Sequence, residues 1–145
     1  MNYKEKCILI LLYFTESLPG KLYNHLDYLR RNSYLDFVIN EDYTEMIQLT
    51  PKSIEYVEQM SDVEIIAILF AELEQLCAPT YFDNDFDLDP CLFDFSDIVC
   101  IITSLYKQDK LSPICMTFLL TYEYHEYDRQ NILQPILQLF KGSSE

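Results

Sequence analysis

Apolar residues along this chain follow two alternating rhythms. From Tyr3 to about Ser17 the composition is helical, with an apolar run from Cys7 to Phe14, and Pro19-Gly20 marks a turn. Leu22, Leu26 and Leu29 then recur at spacings of four and three, which predicts a second helix over 21–33 with one apolar stripe. The rhythm changes at Tyr34. Tyr34 to Ile39 and Tyr43 to Leu49 are β-prone runs separated by Asn40-Glu41-Asp42, and they predict a hairpin. Thr50-Pro51 supplies an N-cap and a first-turn proline for a helix through Met60. Ser61 and Glu64 have the spacing of a capping box, so a further helix is expected from Asp62 to Leu76 or Cys77. Residues 78–92, with two prolines, Asn84 and alternating aspartates, read as a loop. Helical patterning resumes over 93–107, 113–124 and 130–140, with enough apolar content for part of it to face a second subunit.

The expected fold is mainly α with a small β-hairpin. A winged-helix-like part at 1–60 is followed by an acidic helical part at 61–145, the two forming one compact unit. The run at 7–14 is eight residues, preceded by Lys4, Glu5 and Lys6 and followed by no small-residue cleavage site. It reads as a core helix, not as a signal peptide or a membrane span of about 20 residues.

The helix–turn–helix with Leu-x-x-x-Leu-x-x-Leu, the hairpin and LTPKSIEYVEQ resemble a winged helix-turn-helix domain. KLYNHLDYLRRNSYLDFVI resembles a recognition helix feeding the first wing strand. YTEMIQLTPKSIEYVEQ is similar to the second wing strand and following helix of MarR- and PadR-type regulators. The match covers Lys21 to Glu58, and Ser53 stands where those families usually have glycine. The resemblance implies that Lys21, Asn24, His25, Tyr28, Arg30 and Arg31 occupy the face that would enter a major groove.

Charge changes that picture. The chain carries a formal charge of −14, and its twelve acids between Ser53 and Tyr106 face no lysine, arginine or histidine there. Residues 1–52 hold six basic and seven acidic groups, and the expected wing tip is itself acidic. A face with so little net positive charge releases few counterions from phosphates. A basic protein partner is therefore preferred to DNA. The acidic surface is assigned to Asp83, Asp85, Asp87, Asp89, Asp94 and Asp97, interleaved with Phe82, Phe86 and Leu88.

Other chemistry fits less well. Asp83 to Asp94 has the oxygen spacing of an EF-hand loop, but Leu88 stands where the turn needs glycine and Pro90 interrupts it, so no metal is assigned. Two glycines in the chain leave no phosphate-binding Gly-rich loop. His25 and His125 lie in no catalytic motif, so no enzyme and no cofactor is expected. Five widely spaced cysteines without a C-x-x-C pair read as small buried hydrophobes in a reducing compartment, consistent with a cytoplasmic location.

Three functions follow as expectations. The first is a non-catalytic regulator or inhibitor that binds a basic, nucleic-acid-handling partner through the acidic surface, with DNA mimicry as a special case. The second is a winged-helix DNA-binding regulator dimerising through its C-terminal helices. The third is an immunity- or chaperone-like acidic protein. None involves a membrane.

Overall fold

A computed structural model describes residues 1–18, 20–77, 92–124 and 129–142. The chain is mainly helical and, among the described residues, has one two-stranded antiparallel hairpin, as the patterning predicts. It divides into two compact units, Met1–Ser61 and Asp62–Glu145.

The first unit is built around α1, Tyr3–Thr15. Asn2 and Glu5 open it with a reciprocal capping box, at 2.8 Å in each direction. Cys7, Ile8, Leu9, Ile10 and Leu11 are all fully buried, so the helix is enclosed on every side at this level and shows no amphipathic stripe there. It packs on the hairpin, on the helix at Pro51–Glu58 and on the 3-10 turn that follows it.

The single helix expected over 21–33 is replaced by two pieces. A 3-10 helix spans Gly20–His25, and α2 spans Asp27–Arg31. The apolar stripe survives the break, because Leu22, Leu26 and Leu29 are all buried. Burial of these three leucines fixes which face points inward, while the backbone between them is free to tighten from α to 3-10 geometry. Five residues make a short α2, and Ser33, in a left-handed conformation (φ 64°), ends it.

Strands β1 (Leu35–Ile39) and β2 (Glu45–Leu49) pair with Leu35 opposite Leu49 and Phe37 opposite Ile47. The alternation puts these four inward, and leaves Val38 and Met46 paired on the outer face. The connection is a three-residue loop, Glu41-Asp42-Tyr43. Asn40 and Thr44 close it, the Asn40 N–H donating to the Thr44 carbonyl at 2.8 Å. Tyr43 takes the left-handed position (φ 65°) that glycine ordinarily fills in such loops.

Helix α3, Pro51–Glu58, starts at an N-cap Thr50 whose box is completed by Ser53. The Ser53 hydroxyl is fully buried and accepts from Thr50 N–H at 3.0 Å. Thr50 Oγ1 donates to the Ser33 carbonyl at 2.6 Å, and Lys52 Nζ donates to the Asn32 carbonyl at 2.8 Å. These two bonds pin the start of α3 to the end of α2.

The second unit contains α4 (Asp62–Cys77), α5 (Phe95–Lys107), α6 (Pro113–Thr121), a π-helical turn at Arg129–Leu133 and α7 (Gln134–Gly142). Ile98, Ile101, Ile102 and Leu105 give α5 a buried face at i, i+3, i+4, i+7, and it packs on α4, the π turn and α7. Phe70 of α4 meets Phe118 and Tyr122 with centroids 4.8 and 4.3 Å apart, an aromatic cluster that ties α6 to α4. Pro135 has no N–H for the preceding turn, and a proline ring in a regular α-helix would crowd the carbonyl four residues back, a position that falls within the widened turn here.

Candidate functional site

The residues expected to matter fall into two groups, a cationic face in the first unit and an acidic set in the second.

On the cationic face, Asn24, Tyr28, Arg30 and Arg31 are exposed and His25 is half-buried. The break at Leu26 places Asn24 and His25 on the 3-10 helix and the other three on α2, so they do not share one continuous helix face. Arg31 pairs with Asp27 at 2.9 Å, one turn earlier on the same helix. The Arg30 guanidinium lies over the Phe37 ring at 4.5 Å, and Lys52, which sequence reading did not single out, covers Tyr34 at 4.4 Å. Three cations of this unit thus have local partners. The Lys21 side chain lies outside the described residues.

The hairpin tip is exposed, and Tyr43 is 90% accessible. Asp42 accepts from the Thr44 hydroxyl at 2.6 Å, and that bond, with the Thr44 N–H, holds its carboxyl below the usual range. Beside it, Ile39 is 71% accessible. The tip therefore offers carboxylates and apolar surface, with no cation among residues 40–44.

In the acidic set, Asp83, Asp85, Asp87 and Asp89 lie outside the described residues. The acids on either side of them reveal how a stretch without bases is organised, since peptide N–H groups answer the carboxylates. Glu72 is buried on α4, and its Oε1 accepts from both Leu92 N–H and Phe93 N–H, the latter at 3.1 Å. Asp94 and Asp97 form a reciprocal capping box at the start of α5, with bonds of 2.8 and 3.0 Å. Ser96 adds a hydroxyl bond to Asp94 at 2.8 Å. Asp62, at the start of α4, accepts from Ser112 N–H at 2.7 Å and so joins the starts of α4 and α6.

Their ionisation follows from these contacts. Burial raises Asp94, but the Asp97 N–H and the Ser96 hydroxyl together outweigh it and hold the group below the usual carboxylate range. Asp97 moves the other way, raised by burial and by the charge of Asp94 beside it. For Asp62, burial is again outweighed by the bonds from Ser112, and the net shift is downward. Cys115, buried under the same corner, is pushed up by desolvation and is a poor thiolate.

The spacing Asp94-x-x-Asp97 is the sequence signal for the capping box. No short-range pattern announces Glu72, whose partners lie twenty residues away. Asp94 was also the twelfth position of the EF-hand-like spacing, and its oxygens are here turned to the helix start. Among the described residues no group of three or more His, Cys, Asp or Glu side chains is placed to hold a metal ion. No described helix is long and apolar enough to cross a membrane.

No family model matches this chain, and neither curated proteins nor solved structures provide a similar relative.

Proposed function

We propose that this chain is a non-catalytic regulatory or inhibitory binding protein whose acidic second unit captures a basic partner protein. The observation that carries this reading is the distribution of charge. The second unit holds fifteen acids against four bases, whereas the first holds nine against six. A surface so unbalanced attracts cationic surfaces and speeds their encounter. The described acids that follow the run at 83–89 in sequence, Asp94 and Asp97, are engaged at the start of α5. Asp83, Asp85, Asp87 and Asp89 are the proposed contact residues, with Asp94 and Asp97 bordering them.

A basic partner of this kind is one that itself handles nucleic acid, and the aspartate run then stands in for phosphates. The location proposed is cytoplasmic. We also retain a winged-helix identity for the first unit as a proposal, supported by the order helix, 3-10 helix with a short α-helix, hairpin, helix over residues 3–58. Such a module would serve here as an interaction platform, because its wing tip presents Glu41, Asp42, Tyr43 and Ile39 and three of its cations already have local partners.

The alternative, duplex DNA reading by Lys21, Asn24, His25, Tyr28, Arg30 and Arg31 in a homodimer, is favoured by the exposure of Asn24, Tyr28, Arg30 and Arg31 alone. Capture from a nuclease-treated extract of the source cells separates the two. The proposal expects a basic protein retained at low salt, released as salt rises, and lost when Asp83, Asp85, Asp87 and Asp89 are all changed to Asn. Retention only of nucleic acid, abolished by Arg30→Glu with Arg31→Glu, would favour the alternative.

A further inference from the structure

The first unit contains a pocket of about 320 Å³ between the end of α1, the 3-10 helix and the hairpin. That volume is at the lower end of the range, roughly 300–1,000 Å³, in which small-molecule sites fall. Leu12, Leu18 and Met46 supply apolar walls, Tyr23 and Phe37 supply aromatic rings, and Glu16 supplies a carboxylate. We propose that this pocket binds a small organic cation, an alkylammonium with a short apolar body.

Several features make a cation the fitting occupant. Glu16 closes α1 in the left-handed conformation (φ 57°, ψ 22°), a position where glycine or asparagine is the ordinary choice. Its carboxylate stands at the negative end of the α1 dipole, and the last turn of α1 carries no basic side chain to neutralise that end. Tyr23 is 52% accessible, so its ring can face a ligand. The Phe37 ring already carries the Arg30 guanidinium at 4.5 Å, so that ring closes the wall and is not free to hold a ligand cation. Arg30 opposes a second cation on Phe37 itself, so Tyr23 and Glu16 carry the ammonium and Leu12, Leu18 and Met46 the alkyl chain. Anions are rejected by Glu16 and the helix end, and a neutral ligand of the same shape forgoes both. The net charge of −14 further enriches cations near the surface. The site does not depend on the acidic run of the second unit.

The test is a protein-observed NMR titration with n-butylammonium chloride, butan-1-ol and sodium butyrate. The proposal expects saturable shifts with n-butylammonium at the amides of residues 12–18, 23, 37 and 46, affinity about tenfold lower for butan-1-ol, and no binding of butyrate. Glu16→Gln is expected to weaken n-butylammonium by about tenfold. Glu16→Gly relieves the left-handed backbone and keeps the fold, and it too should lose the binding. Equal affinity for the alcohol, unchanged affinity in either folded variant, or no saturable shift with the amine would each overturn the proposal.

Discussion

At the residue scale, the acids of this chain are of two kinds. Some stand at helix starts or in the interior and are compensated by peptide N–H groups, as Glu72, Asp62 and Asp94 are, whereas Asp97 accepts such a bond and is still raised by burial and by the charge of Asp94. A carboxylate accepting such bonds is stabilised by charge-assisted hydrogen bonding, which needs no lysine or arginine. The distinction gives a test on the capping box. Asp94→Ala should lower stability by about 1 kcal/mol, the typical value for losing an N-cap side chain. Asp97→Asn should cost less at neutral pH, because the ionised Asp97 carries an unfavourable contribution that asparagine lacks. The two ionisations act on stability with opposite signs. Asp94, lowered on folding, contributes stability that is present above the unfolded carboxylate pKa of about 3.9 and is lost as pH falls through its folded value. Asp97, raised on folding, binds its proton more tightly in the native state, so its contribution diminishes stability as pH rises past about 3.9. Chemical denaturation of both variants between pH 3 and 7 should show the Asp94→Ala deficit shrinking toward the acid end. A deficit independent of pH would contradict the assignment.

At the element scale, the patterning carried the fold where local rules decide. The hairpin, the Thr50-Pro51 start of α3, the extent of α4 and the beginnings of α5 and α6 are written in spacing, caps and prolines. The break at Leu26 is not, since Leu22, Leu26 and Leu29 keep the same buried face through a 3-10 turn as through an α-helix. The π turn at Arg129–Leu133 is equally silent in a helical periodicity. Glycine scarcity has a visible consequence. Glu16, Ser33, Tyr43 and Asp109 all take left-handed backbone conformations that glycine would adopt without strain. Tyr43 is the cleanest case, because its side chain is 90% accessible and packs little. Tyr43→Gly should raise stability by about 1 kcal/mol, read as a shift of the unfolding midpoint. A loss of stability would mean that the Tyr43 ring contributes packing which outweighs the backbone strain.

At the scale of the whole molecule, the sequence showed where charge accumulates, and the structure shows what part of it is committed. The cationic face of the first unit was legible as a list of residues but not as an arrangement, since the pairing of Arg31 with Asp27 and the stacking of Arg30 on Phe37 depend on α2 being short and lying against β1. Glu72 was invisible as a structural residue because its partners become neighbours only through the fold. The pocket beside Glu16 was missed for the same reason, its walls coming from three elements. The aspartates at 83–89 remain the part of the negative charge that the proposal sets aside for recognition.

The most direct measurement is the affinity of the intact protein for the basic partner it retains, taken across a salt series. The wild type should be compared with the quadruple Asp83→Asn, Asp85→Asn, Asp87→Asn, Asp89→Asn variant. The account predicts wild-type binding that weakens steeply with salt, and a folded variant weaker by at least about tenfold with a shallower salt dependence. A variant that binds as the wild type does, with the same salt dependence, would contradict it.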